Sequence, residues 1–145
     1  IGVYDPKLTE MFAGTLKNLG TKRAFIVHGS DGLDEATVTG ATRVSELKDG
    51  IVTTYNIEAA DFFGKTYSGD ELAGGDASIN AEITKGVLAG EDGARRKVVV
   101  LNAALAIVAG GKAQTITEGI RVAEECIDSG AAIKKLQALI EMSRS

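Results

Sequence analysis

The stretch Phe25-Ile26-Val27-His28-Gly29-Ser30-Asp31-Gly32-Leu33-Asp34-Glu35 decides how this chain is read. Residues 24–27 make a short continuous apolar run. That is the pattern of a strand covered on both faces, as in a parallel sheet. Gly29 and Gly32 then let the backbone bend without a Cβ clash, and the stretch ends in two adjacent carboxylates, Asp34 and Glu35. A strand delivers the loop at its C-terminal end to a fixed place, and α/β folds bind ligands there. Adjacent acids in such a loop can hold a hard cation. Magnesium keeps several waters and takes one or two protein carboxylates together with substrate phosphates. The competing reading has Asp34 capping a turn and Glu35 solvated, and the pair alone does not choose between them.

Upstream, residues 1–3 read as a short strand, and Asp5-Pro6 as the N-cap and first position of a helix. Leu8, Met11, Phe12, Leu16 and Leu19 recur at helical spacing, and Gly20 closes the element. With the strand at 24–27 this makes a right-handed βαβ unit. Downstream, Thr37-Val38-Thr39, a turn through Asp49-Gly50 and residues 51–57 are rich in β-branched side chains and predict a small antiparallel excursion. Residues 61–75 read as a loop with short helical turns, anchored by Phe62 and Phe63.

From Asp76 onward the chain reads as helical. A helix over about 77–89 is followed by one over about 95–109, apolar almost all round and expected to be the buried central helix. A third opens with the capping box Thr115-Ile116-Thr117-Glu118 and carries the stripe Ile116, Ile120, Ala123 and Ile127. The last shows Ile133, Leu136, Leu139 and Ile140. The expected fold class is α/β: a mainly parallel sheet, a small antiparallel excursion and a C-terminal layer of helices.

A chain of 145 residues, 44% hydrophobic and 25% charged, is one globular domain's worth of material. The net charge of -4 argues against a nucleic-acid partner, because a phosphate backbone demands a clustered basic surface. The one such cluster, Arg95-Arg96-Lys97, is short and follows the acids Glu91 and Asp92. Cations at a helix start oppose its dipole, so the cluster meets an acidic partner or substrate group, or else ion pairs within the chain. The single cysteine, Cys126, excludes an internal disulfide and fits a reducing, cytoplasmic setting. It is expected to pack inertly beside the stripe of its helix. The longest apolar stretch, 98–109, is interrupted by Asn102 and falls short of the ~20 residues that span a bilayer, so no membrane partner is expected. The only methionines are Met11 and Met142, and the chain opens on a strand. It is therefore expected to be the C-terminal part of something longer.

His28, the only histidine, could hydrogen-bond a substrate carboxylate or phosphate from the strand end, or could simply be tied to a nearby carbonyl. A lone histidine makes a poor transition-metal site. Gly29 and Gly32 could admit an anion to backbone N–H groups, although a turn role suits them better. Gly74-Gly75-Asp76 reads as a loop with Asp76 as helix N-cap. No serine sits in a nucleophile elbow, and no catalytic residue is assigned.

The string from Val27 to Glu35 strongly resembles the VHG-x-x-GLDE signature of the anthranilate phosphoribosyltransferases. Gly2-Val3-Tyr4-Asp5-Pro6 is similar to that family's G-V-x-x-P segment, and Gly74-Gly75-Asp76 with Asn80-Ala81 to its GGD…NA element. Leu101-Asn102-Ala103-Ala104, Ala109-Gly110-Gly111-Lys112-Ala113 and Asp128-Ser129-Gly130-Ala131-Ala132 resemble its C-terminal helical run. The resemblance implies transfer of phosphoribosyl from phosphoribosyl pyrophosphate to anthranilate, releasing pyrophosphate, in tryptophan biosynthesis. It implies that Asp34 and Glu35 bind the Mg²⁺ that bridges the diphosphate, with His28 a candidate for substrate binding. It also implies that residues 1–145 are the C-terminal part of the α/β catalytic domain of a phosphoribosyltransferase/nucleoside-phosphorylase-like protein. The family's N-terminal helical domain, through which it forms homodimers, lies upstream of Gly2. So do its GTGGD loop, its KHGNR-type segment and an arginine that helps hold anthranilate, so the chain alone is expected to be inactive. Lys97 stands where the family usually carries an acid. Two other readings remain at this point: a pyrimidine nucleoside phosphorylase, with phosphate as nucleophile, and a non-catalytic module.

Overall fold

The computed structural model describes residues 1–144. Helix α1 (Leu8–Asn18) precedes strands β1 (Arg23–Gly29), β2 (Ala41–Lys48) and β3 (Ile51–Glu58). A short α2 (Ala59–Phe63) and a 3-10 turn (Gly69–Leu72) lead into α3 (Ala77–Leu88), α4 (Ala94–Ala109), α5 (Ile116–Asp128) and α6 (Ala131–Ser143). The α/β class and the C-terminal helical layer are as expected.

The sheet is not mainly parallel. Its three strands run in the order β1-β2-β3, each pair antiparallel, with Val27 opposite Val44 and Val44 opposite Tyr55. The parallel component among the described residues is a bridge between Gly2 and Val27. There Val3 N–H donates to the Val27 carbonyl at 3.0 Å and Val27 N–H to the Ile1 carbonyl at 2.9 Å. The apolar run reported two-sided burial, and helices supply that burial irrespective of strand direction. Ile26 packs with Val3 and Ala13 on the α1 side, whereas Phe25 and Val27 face the core containing Val100, Leu101, Leu105 and Val108 of α4.

Local chemistry explains the element ends. Asp5 Oδ1 accepts the Lys7 N–H at 2.9 Å, so Asp5 caps a lead-in turn and α1 proper starts later, at Leu8. Asp49 and Gly50 both take positive φ, 49° and 80°, the geometry that two-residue hairpins need. The capping box of α5 forms as read, with Glu118 N–H donating to Thr115 Oγ1 at 3.1 Å. Helix α4 buries Val100, Leu101, Ala104, Leu105 and Val108, yet Val99 is exposed, so α4 is covered on one side rather than all round. It crosses α5 closely, since a Cβ on Gly119 would sit 2.7 Å from the Ala104 carbonyl oxygen. Cys126 is exposed rather than packed. No helix among the described residues is long and apolar enough to cross a membrane.

Candidate functional site: an acidic loop after the first strand

The connection from β1 to β2 is where the acids sit, and its form comes from side chains rather than from a ladder. Gly32, at φ 90°, closes a tight turn in which its N–H donates to the Gly29 carbonyl and the Gly29 N–H to the Leu33 carbonyl, both at 2.9 Å. Asp31 then gathers the loop. Thr37 Oγ1 and Thr39 Oγ1 donate to its Oδ2 at 2.5 and 2.8 Å, and the Leu33 N–H donates to its Oδ1 at 3.2 Å. Thr37 N–H in turn donates to Thr42 Oγ1 at 2.9 Å. The strand expected at Thr37-Val38-Thr39 is therefore not formed, because hydroxyls that suit a strand by propensity here tie the loop. Val38 points inward instead and is fully buried.

Two distant elements fix the loop from either side. A Cβ on Gly2 would land on the Asp34 carbonyl oxygen, so only glycine lets the N-terminal segment bridged to Val27 lie against the loop. On the other side, Asn102 of α4 accepts the Ala36 N–H at 2.9 Å through Oδ1 and donates to the Ala36 carbonyl at 2.8 Å through Nδ2.

Asp34 and Glu35 lie between these two restraints. Asp34 is exposed and lines a cavity of about 370 Å³ with Gly2, Phe25, Asn102 and Ala106. Glu35 is half-buried and lines a second, of about 470 Å³, with Gly74, Asn80 and Arg95. The structure thus brings two separate sequence motifs, the acidic loop and Gly74…Asn80, to one cavity. Burial raises the Glu35 carboxyl above its ordinary value, and the neighbouring charges of Asp34 and Asp31 push it the same way. In Asp31 burial also acts to raise the pKa, but the Thr37 and Thr39 hydroxyls and the Leu33 N–H outweigh it and hold that carboxyl low. None of the ion pairs among the described residues engages Asp31, Asp34 or Glu35.

That uncompensated charge decides the fit for a metal. Among the described residues no group of three or more His, Cys, Asp or Glu side chains gathers where it could hold a metal ion. Asp34 and Glu35 line separate cavities, and each offers oxygen donors of the kind a hard cation takes together with water and substrate phosphate. An all-oxygen pair suits zinc less well, since zinc sites are built mainly on histidine nitrogen and cysteine sulfur with carboxylate as a minority ligand.

The remaining candidates divide. His28 Nδ1 lies 2.8 Å from the Val3 carbonyl oxygen. A carbonyl only accepts, so Nδ1 carries the proton and Nε2 is the atom left for a ligand. Gly29 serves the turn. Asp76 caps α3 by accepting the Ile79 N–H at 2.9 Å, and Asn80 clamps Gly75 by accepting its N–H at 2.9 Å and donating to its carbonyl at 2.8 Å. Arg96 and Lys97 find ion-pair partners within the chain, whereas Arg95 is held by one carbonyl and its buried Nε has no hydrogen-bond partner among the described residues. Arg95 donates to the Ala73 carbonyl, buried Arg96 pairs with Asp128 at 2.7 Å, and Lys97 pairs with Glu124 at 3.2 Å and Asp92 at 3.5 Å. Sequence reasoning missed Asp31, Gly2 and Asn102 as the groups that shape the loop. For Asn102 a signal existed: a lone amide inside an otherwise apolar helix.

Over residues 1–133 the chain matches the model of the glycosyl transferase family, a/b domain. It is similar to the anthranilate phosphoribosyltransferase of Syntrophobacter fumaroxidans, 54% identical over 140 residues that cover 97% of this chain and 42% of that protein. Its fold is similar to that of the anthranilate phosphoribosyltransferase from Thermus thermophilus, with a TM-score of 0.88 and 31% identity over 99% of this chain and 42% of that one. It is also similar to the anthranilate phosphoribosyltransferase from Saccharomyces cerevisiae in complex with PRPP and Mg, with a TM-score of 0.83 and 28% identity over 97% of this chain and 41% of that one. The chain spans less than half the length of these relatives. With a match running from residue 1 through the turn before α6 and into that helix, the chain belongs to the glycosyl transferase family, within its a/b domain.

Proposed function

We propose that this chain takes part in transferring phosphoribosyl from phosphoribosyl pyrophosphate to the amine of anthranilate, releasing pyrophosphate, in tryptophan biosynthesis. The observation that carries this reading is the Asp34–Glu35 pair: two adjacent carboxylates that enter no ion pair among the described residues, on a loop braced from both sides. The chain's similarity to relatives named for this reaction, one of them solved with PRPP and Mg, supports the assignment. Residues 1–145 act here as the C-terminal part of an α/β catalytic domain, with further segments of the complete protein contributing the rest of the site.

Asp34 and Glu35 are the residues that would hold Mg²⁺. When bound, the ion neutralises charge developing on the leaving diphosphate. The chain's own work is placement. Gly2 lets the N-terminal segment support Asp34, Asp31 draws the loop onto Thr37 and Thr39, and Glu35 enters no ion pair among the described residues. His28 contributes to substrate binding through Nε2, its Nδ1–H being committed to Val3. A cytoplasmic setting fits the exposed free thiol of Cys126, which an oxidising compartment would leave open to disulfide exchange.

The complete protein, given phosphoribosyl pyrophosphate and anthranilate, should release pyrophosphate and form the phosphoribosyl amine. Given thymidine and phosphate it should do nothing. Cleavage of thymidine with indifference to anthranilate would replace this reading by a nucleoside phosphorylase. The 145-residue chain on its own should be inactive, and measurable turnover by it would overturn the expectation that other segments are needed.

A further inference from the structure

Asn102 makes a contact that nothing in the transfer chemistry requires of it. It lies in the middle of α4, 66 positions from Ala36, and binds that residue's backbone twice. Its Oδ1 accepts the Ala36 N–H at 2.9 Å, and its Nδ2 donates to the Ala36 carbonyl at 2.8 Å and to the Val98 carbonyl at 2.9 Å. The N–H belongs to the peptide that joins Glu35 to Ala36, and the carbonyl to the next peptide along. Both planes following Glu35 are therefore set by one side chain. Ala36 is itself fully buried beside Val38 and Val44, so it cannot shift without disturbing the core. Asn102 also lines the same cavity as Asp34.

From this geometry we propose that Asn102 is a positioning residue for the Asp34–Glu35 pair, acting through the backbone of Ala36. The proposal rests on the reading of that pair as the magnesium and diphosphate anchor. A carboxamide is suited to the task because a single planar group offers an acceptor and a donor side by side, matching the N–H and C=O of one residue. Aspartate, the side chain of the same shape, offers both only when its carboxyl is protonated. Asn102 touches neither metal nor substrate in this role. It fixes the direction in which Glu35 leaves the chain, as a group behind a metal ligand orients that ligand.

The test uses the complete protein and reads calorimetric binding of phosphoribosyl pyrophosphate across a Mg²⁺ series, with initial rates against Mg²⁺ and phosphoribosyl pyrophosphate beside it. Three variants are compared with the wild type: Asn102→Asp, Asn102→Leu and Glu35→Gln. Removing the donor pair should raise the half-saturating Mg²⁺ concentration in both Asn102 variants about 10- to 100-fold, with the KM for anthranilate unchanged. A merely structural role would lower thermal stability and leave metal dependence where it was. Asn102→Asp carries a further readout. A protonated carboxyl can donate to the Ala36 carbonyl while accepting from its N–H, so the activity of this variant relative to wild type should recover as pH falls. Asn102→Leu cannot recover. Should Asn102→Leu not fold, the Mg²⁺ titration and pH profile of Asn102→Asp decide alone.

Unchanged Mg²⁺ dependence in Asn102→Asp, with Glu35→Gln strongly shifted, would overturn the positioning role while leaving the metal reading intact. Unchanged Mg²⁺ dependence in Glu35→Gln would overturn the metal reading itself, and the positioning role with it.

Discussion

Strand β2 is entered through the loop at 30–40 and left through the turn at Asp49-Gly50, and the two connections are held in different ways. The turn is held by its neighbours. Its two residues take the positive φ angles the hairpin needs, and the pairs Lys48–Ile51 and Leu47–Val52 follow at once in register. The loop has no such ladder. It is shaped by Asp31 drawing in two threonines, by Gly2 pressing from the N-terminal segment and by Asn102 reaching from α4. The difference teaches where chemistry can sit. The turn takes its form from its own residues and strands, with one outside bond from the Asp49 N–H to the Lys22 carbonyl, whereas a loop braced from outside can leave Asp34 and Glu35 uncommitted and still hold them in place. Disturbing the loop should therefore change catalysis, and disturbing the turn should change only stability.

The largest effect should come from the acids themselves. Asp34→Ala combined with Glu35→Ala in the complete protein should lower kcat about 10³-fold or more, read from pyrophosphate release, with the thermal midpoint little changed. Near wild-type kinetics would return the pair to a solvated turn. Gly2→Ala comes next. Its new Cβ cannot share space with the Asp34 carbonyl oxygen, so strand and loop must part. A displacement of that kind should cost about 10²-fold in rate, and overpacking about 1–3 kcal/mol in stability by denaturant titration.

Asp31→Asn should act more gently and depend on pH. The folded carboxyl titrates below its ordinary value of 3.8, so its contribution is complete above that value and is lost as pH falls through the lower, folded one. Wild type should exceed Asp31→Asn by about 1 kcal/mol at neutral pH in metal-free buffer, and the gap should close in strong acid. A gap independent of pH would mean that the hydroxyls do not depend on the charge. The smallest catalytic effect belongs to the turn. Gly50→Ala should cost about 1–2 kcal/mol by thermal unfolding, because φ 80° burdens any Cβ, and should leave kcat untouched. A fall in kcat there would blur the contrast between the two connections.

What could be read from the chain follows the same division. Asp49-Gly50, the Thr115…Glu118 box and the Asp76 cap are local signals, each with its effect within a few residues, and each formed as read. The acids of the candidate site were also visible, because two adjacent carboxylates after a strand and a glycine bend are a local pattern. Strand direction was not. The run at 24–27 reports burial on both faces, and helices α1 and α4 provide that for an antiparallel strand just as well. Nor could propensity foresee that Thr37 and Thr39 would spend their hydroxyls on Asp31 rather than extend a ladder. The Asn102 contact joins positions far apart in sequence, and only the folded chain brings them together.

The central claim is that Asp34 and Glu35 anchor a magnesium ion to the substrate's diphosphate. Calorimetric binding of phosphoribosyl pyrophosphate to the complete protein, with and without Mg²⁺, tests it most directly when wild type is set beside Asp34→Ala/Glu35→Ala. Magnesium should tighten binding in the wild type and give little or no tightening in the double variant. Equal enhancement by magnesium in both would contradict the account.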